Sequence, residues 1–216
     1  MRRIALFDMD GTLIDSGLDI TISINYVRQS IYRLEPLAVQ TIIDAINAHQ
    51  CNLATIFYGT ELYEPDAKTL FEEHYYDQCI QNVRAYDGIE LMLEQLSLHD
   101  VVMGVATNAP TLFANRMLEH LGLDRFFDSI VGADRVEEPK PHPHMLYHHL
   151  HRHNFQSGTD RAWMIGDNSK DMEAASRAGI FGIFAGWGFS TTGEGDYFAS
   201  SVEDVVDIIW NKGSGC

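Results

Sequence analysis

Asp8 and Asp10 stand one residue apart at the end of the apolar run Arg3-Ile4-Ala5-Leu6-Phe7. On a strand that spacing turns both carboxylates to one face. Two carboxylates so close repel, and one takes up a proton unless a cation lies between them. Gly11 follows and frees the backbone for a sharp turn. A polar strand end closed by an Asx-type turn accounts for the same pair. A second acidic pair, Asp167 and Asp171, lies in Gly166-Asp167-Asn168-Ser169-Lys170-Asp171, after an apolar run ending in Ile165. Asn168 as N-cap and Asp171 at the third helical position would make a variant capping box. That explains Asp171 and leaves Asp167 unexplained. Together the two clusters offer several hard oxygen ligands, the donor set of a magnesium site with room for water and phosphate oxygens. Neither cluster holds the soft ligands that suit zinc or copper.

Thr107 and Asn108 close the apolar run Val101 to Ala106, just ahead of Pro110. A hydroxyl, an amide and free N–H groups at a helix N-terminus make an anion cradle. A plain N-cap is the simpler alternative. Lys140 lies in Glu138-Pro139-Lys140-Pro141, where the following proline biases it away from helix. A lysine on so stiff a segment can bring a point charge to a phosphate. A solvated loop lysine is the competing reading. The histidines of the stretch from His142 to His153 include His144 with His148 and His149 with His153, both at the i, i+4 spacing of helix metal ligands. No acidic or cysteine partner stands close to them in sequence, so a histidine-rich surface helix is expected.

Five apolar runs must position these groups: Arg3 to Phe7, Val101 to Ala106, Ser129 to Val131, Ala162 to Ile165, and Ile180 to Ala185. Helical patterns run over Gly88 to Leu98, Thr111 to Leu121, Pro143 to His151, Ser169 to Ala178 and Val202 to Trp210. Strands alternating with helices predict an α/β fold, a Rossmann-like parallel sheet with helices on both faces. Ligands of such sheets bind beyond the carboxyl ends of the strands, where each polar cluster falls. Ser16 to Val83 breaks the alternation. Ile20, Ile24, Val27 and Ile31 recur at helical spacing, as do Ile42, Ile43 and Ile46, and then Leu70, Phe71, Tyr75 and Cys79. The expected organisation is a catalytic core of residues 1–15 and 84–216 with an all-helical insert at 16–83. The tail Gly213-Ser214-Gly215-Cys216 is expected to fray.

The 216 residues carry 31 acidic and 15 basic side chains, a net charge of −16. That argues against a nucleic-acid partner, which needs clustered Lys and Arg. It also obliges any anion site to bring its own positive charge, from a metal or a lysine. No apolar run is long enough to span a bilayer. The basic start Met1-Arg2-Arg3 leads into an apolar stretch that ends at Asp8, too short for a signal-peptide core. A cytoplasmic location is expected, with no membrane partner. Cys51, Cys79 and Cys216 lack metal-type spacing and read as reduced thiols. The chain carries no signal of its oligomeric state.

The four clusters together resemble the haloacid dehalogenase-like hydrolase superfamily. Its Asp-x-Asp-Gly-Thr motif matches Asp8-Met9-Asp10-Gly11-Thr12, its Thr or Ser after a strand matches Thr107, and its lysine motif matches Lys140. Its Gly-Asp-x-x-x-Asp matches Asp167 and Asp171. The helical insert and Gly186-Trp187-Gly188-Phe189 are similar to the phosphoglycolate phosphatase-like branch. Asn168 departs from the usual Ser, and Asp87 from a usual proline at the return from the insert. The resemblance implies a phosphatase acting on small phosphorylated metabolites. Asp8 would be the nucleophile that forms an aspartyl-phosphate, and Asp10 the acid and then the base. Mg²⁺ would be held by the Asp8 carboxylate, the Asp10 carbonyl and Asp167, with Asp171 behind them or acting through water. Thr107, Asn108 and Lys140 would hold the phosphate oxygens. The insert would be a cap that closes over the site, with Arg28, Arg33, His49, Lys68 and Arg84 as candidates for a second anionic group on the substrate. A phosphosugar mutase on the same scaffold, or a non-catalytic binding domain, is the alternative.

Overall fold

A computed structural model describes residues 1–48 and 51–212. His49, Cys216 and the rest of the tail 213–216 lie outside the described residues. The chain divides into two compact units, Met1–Ile14 with the residues from Ala85 onward, and Asp15–Arg84.

The first unit holds a six-stranded sheet in the order β5-β4-β1-β6-β7-β8. Its strands are β1 (Arg3–Phe7), β4 (Val102–Thr107), β5 (Ser129–Gly132), β6 (Arg161–Gly166), β7 (Phe181–Ala185) and β8 (Tyr197–Ala199). All neighbours pair in parallel. The expected α/β sheet is therefore present, with one strand more than the apolar runs predict. β8 is only three residues long, and Phe198 at its centre is exposed, so it carries no apolar run. Ile4, Ala5, Leu6 and Phe7 of β1 are all buried, the mark of a central strand covered on both faces. Ile4 and Leu6 pack in one cluster with Met145, Leu146 and Leu150 of α7 (His144–Arg152) and Ala174 and Ala175 of α8 (Ser169–Ala178). The remaining α-helices among the described residues of this unit are α5 (Ile89–Leu98), α6 (Thr111–His120) and α9 (Val202–Lys212).

Strand order decides where chemistry can occur. β1 lies between β4 and β6, with Phe7 in register with Val105 on one side and Ile165 on the other. The chain fills the β4 and β5 side first and then crosses to β6. β1 thus marks the switch point where a crevice opens beyond the strand ends. Asp8 follows β1, Thr107 ends β4 and Asp167 follows β6, so three neighbouring strands deliver three of the predicted residues to one rim.

The second unit holds α1 (Gly17–Ser30), α2 (Val39–Asn47), α3 (Leu53–Tyr58) and α4 (Pro65–Gln78). Ile24, Val27, Ile42, Ala45, Phe57, Tyr58 and Ala67 form its core, and Ile20, Ile31, Ile46, Leu70 and Phe71 pack against them. Asp19, wholly buried, accepts hydrogen bonds from Gln78 Nε2 and from the amide and side chain of Asn82. Short strands β2 (Ile14–Asp15) and β3 (Arg84–Ala85) pair where the chain passes between the units.

Candidate active site

The turn after β1 is closed by one carbonyl. Met9 O accepts the amides of Thr12, Leu13 and Ile14 at 3.2, 2.9 and 3.0 Å. Gly11 takes φ +81°, and a Cβ there would stand 2.5 Å from Asp167 Oδ2, so only glycine lets the turn lie against the second acidic cluster. Asp8 continues the β1–β6 ladder through its amide to Ile165 O at 2.8 Å. Its Oδ1 accepts from the Met9 amide at 2.8 Å and from Lys140 Nζ at 2.8 Å.

Lys140 is the hub of the site. Its ammonium, 2% exposed, reaches Asp8 Oδ1 and also Asp171 Oδ1 at 2.6 Å. Burial by itself would push its pKa down, but Asp171 and Asp8 outweigh that and hold it above its ordinary value. The solvated loop lysine is thereby excluded. Its backbone is clamped by Asn108, which donates from Nδ2 to Lys140 O at 2.9 Å and accepts the Lys140 amide on Oδ1 at 3.0 Å. Both polar ends of the Asn108 side chain are thus spent on Lys140.

Asp171 serves twice. It stands at the third position of α8, where its Oδ2 accepts the Asn168 amide at 3.1 Å and completes the capping box, while its Oδ1 holds Lys140. Asp167 is oriented by Thr12 Oγ1, donating to Oδ1 at 3.3 Å, and by the Ser190 amide, donating to Oδ2 at 3.1 Å. Ligand atoms of Asp8, Asp167 and Asp171 lie within 4.8 Å of one another. Among the described residues no other group of three His, Cys, Asp or Glu side chains meets so closely. The Asp10 carboxylate is not in this trio. Burial first, then the charges of Asp8 and Asp171, push Asp167 up to about 8. Burial and Asp8 push Asp171 up as well, against the pull of Lys140. One ammonium, paired with Asp8 and Asp171, does not offset three ionised carboxylates; the raised pKa of Asp167 reflects burial and then that crowding, which a divalent cation would relieve. An all-oxygen donor set of this kind fits a hard ion such as Mg²⁺.

Thr107 is buried and accepts the Ala109 amide on Oγ1 at 3.1 Å. It is not the cap of α6, whose N-cap position is Pro110. Asp134 does that work from outside the helix, accepting both the amide and the hydroxyl of Thr111 at 2.7 Å. The expected surface histidine helix needs a correction at His149, which is fully buried. Its Nε2 donates to Val105 O at 2.9 Å, so Nδ1 accepts from Ser129 Oγ at 2.9 Å. Gly104 makes room for the ring, since a Cβ there would lie 2.6 Å from Nδ1. Position 149 falls on the apolar stripe of Met145, Leu146 and Leu150, a signal the sequence carried. In the second unit, Arg28 is buried and its guanidinium donates to the carbonyls of Glu35 and Phe57. Lys68 pairs with Glu72 at 3.8 Å, and Arg33 and Arg84 are exposed. Two residues without a predicted role also reach the site, Trp187 through its indole N–H to Thr12 O at 3.0 Å, and Ser190.

Comparison with known proteins gives concordant matches. The family described as haloacid dehalogenase-like hydrolase matches residues 5–185. An N-acetylmuramic acid 6-phosphate phosphatase of Pseudomonas aeruginosa is 31% identical over 180 residues, covering 82% of this chain and 78% of its own. A phosphoglycolate phosphatase of Colwellia psychrerythraea is 28% identical over 199 residues, covering 88% of this chain and 86% of its own. Among solved structures, a haloacid dehalogenase-like family hydrolase from Streptococcus pneumoniae superposes with a TM-score of 0.78 at 26% identity, covering 96% of this chain and 97% of that one.

Proposed function

The chain belongs to the haloacid dehalogenase-like hydrolase family and is a phosphoric monoester hydrolase, and from that premise we propose that it cleaves small phosphomonoesters through a covalent aspartyl-phosphate on Asp8. The observation that carries this reading is the convergence of the Asp8, Asp167 and Asp171 carboxylates, two of which, Asp8 and Asp171, hold the buried ammonium of Lys140. Asp8 and Asp167, with the Asp10 carbonyl, would hold Mg²⁺. The ion, when bound, supplies the positive charge that lets an anionic carboxylate approach an anionic phosphate.

One oxygen of Asp8 attacks phosphorus, and the P–O bond to the leaving alcohol breaks. Asp10 gives the departing oxygen its proton and then takes one from the water that hydrolyses the aspartyl-phosphate. Lys140 holds Asp8 in place and meets the charge on the phosphoryl oxygens, and the Thr107 hydroxyl donates to them. Asp171 fixes the ammonium. Asn108 serves by holding the backbone of Lys140, a different part from the direct phosphate contact that the resemblance implies.

Residues 16–83 are proposed as the substrate-selecting cap. Phosphoglycolate and N-acetylmuramic acid 6-phosphate, the compounds in the relatives' names, both join a phosphate ester to a carboxylate. Small carboxylated phosphomonoesters and sugar phosphates are therefore the proposed substrates. Action on metabolites in the cytoplasm, with neither nucleic acid nor membrane as partner, belongs to the same proposal. A phosphate-release screen over such esters, run with Mg²⁺ and with EDTA, tests it. Release in Mg²⁺ that stops in EDTA and in Asp8→Asn is expected. Full turnover in EDTA, or release that survives Asp8→Asn, would overturn the mechanism.

A further inference from the structure

The loop between β7 and β8 touches both acidic strand ends from one side. Trp187 donates its indole N–H to Thr12 O at 3.0 Å. Thr12 in turn donates its hydroxyl to Asp167 Oδ1 at 3.3 Å. Three residues after Trp187, the Ser190 amide donates to Asp167 Oδ2 at 3.1 Å. The contacts close a ring: Asp167 to Thr12, Thr12 to Trp187, along the loop to Ser190, and back to Asp167. Gly188 sits inside that ring. A Cβ there would collide with the Gly11 carbonyl oxygen and stand 2.5 Å from Asp167 Cβ. The loop backbone therefore lies directly against both the turn that carries Asp8 and Asp10 and the stem of Asp167.

From this we infer that Trp187, Gly188 and Ser190 are positioning residues that hold the Asp8–Thr12 turn at a fixed separation from Asp167 and so set the affinity of the carboxylates for their cation. The inference rests on the magnesium-dependent reading above. Its physical basis is general. Partners behind metal ligands orient them, and losing one typically weakens metal binding by roughly 10- to 100-fold. Here the ligands lie on two segments far apart in sequence; the β1–β6 ladder brings their strand ends together, and the loop adds a second tie between the turn and the carboxylate. Of the polar atoms on the loop, the indole N–H grips the turn and an amide grips the carboxylate. Each is already committed to a protein acceptor.

Trp187→Phe keeps the ring and deletes the donor. We expect metal-free Trp187→Phe, titrated calorimetrically with Mg²⁺, to bind about tenfold more weakly than wild type. kcat at limiting Mg²⁺ should fall by a similar factor and recover at saturating Mg²⁺, with KM for the ester within about twofold. Gly188→Ala, which forces the turn away, should bind Mg²⁺ more weakly still. Trp210→Phe, whose ring packs on His99 and under Arg3, should match wild type. A Trp187→Phe protein with wild-type Mg²⁺ affinity and only a lowered unfolding temperature would overturn the inference and leave the phosphatase reading standing. A wild type that turns over esters yet takes up no Mg²⁺ would bring down the magnesium reading itself, and the clamp with it.

Discussion

Asn108 and Lys140 exchange two hydrogen bonds, side chain to backbone in both directions, at 2.9 and 3.0 Å. An asparagine used in this way is a splint. It fixes the one segment that must carry a buried ammonium between two carboxylates. Asn108→Ala removes the splint and leaves every acidic group in place. The expected result is a fall in kcat of roughly tenfold with KM changed less than about twofold, because positioning rather than ground-state binding is lost. Steady-state kinetics on the best ester of the screen decide it. A rise in KM at constant kcat would return Asn108 to direct contact with the substrate phosphate.

Lys140→Met should be costly twice over. Activity should drop by ~10²–10³-fold, since a preorganised charge at the reacting centre disappears. The metal-free protein should also lose about 2–3 kcal/mol, because removing one partner of a buried ion pair strands the other. For a chain of this size that lowers the unfolding temperature by roughly 4–12 °C. Calorimetry in EDTA and in Mg²⁺ tests the point, and the loss should be smaller in Mg²⁺. An unchanged unfolding temperature in EDTA would mean that the three carboxylates do not depend on this ammonium.

Mg²⁺ should stabilise the wild type by about 2.7 kcal/mol at a hundredfold excess over its dissociation constant. Asp167→Asn should cut that gain to under ~0.5 kcal/mol, while the protein remains folded. Thermal scans with and without the ion provide the measurement. Equal Mg²⁺ shifts in both proteins would remove Asp167 from the metal site.

His149 supplies a pH prediction away from the metal. Burial is the main cause that lowers its pKa from 6.5 to about 4, with the Val105 carbonyl pulling the other way. The unfolded chain binds a proton below pH 6.5 that the folded chain refuses until about pH 4. Stability is therefore fully present above pH 6.5 and declines as pH falls toward 4, by up to ~3 kcal/mol. His149→Gln, titrated by denaturant midpoints between pH 7 and 4, should show a flatter profile than wild type. Parallel profiles would show that the ring is not the group responsible.

The strands were legible because each is an uninterrupted apolar run ending in polar residues, and a parallel sheet buried on both faces requires such runs. β8 was not, since three residues with an exposed Phe198 make no pattern. Asp8, Thr107 and Asp167 stood out by residue type at strand ends, and Lys140 by its flanking prolines. The work of Asn108 and Ser190 did not, because it runs through a side chain turned onto backbone and through a main-chain amide. Residue identity encodes neither. The capping box at Asn168 and the charge of Asp171 first stood as competing explanations, and the structure lets both hold at once. His149 was within reach of the periodicity, and composition drew attention to its exposed neighbours instead.

Placing β1 in the middle of the sheet also fixes a schedule. During synthesis β1 has no sheet neighbour until β4 is made, and its other edge is completed only by β6. At roughly 5–20 residues per second, the interval between the appearance of Asp8 and that of Asp167 is about 8–32 s. A nascent chain halted before residue 167 therefore has Asp8 but not Asp167, and the carboxylate trio can assemble only after β6 is made.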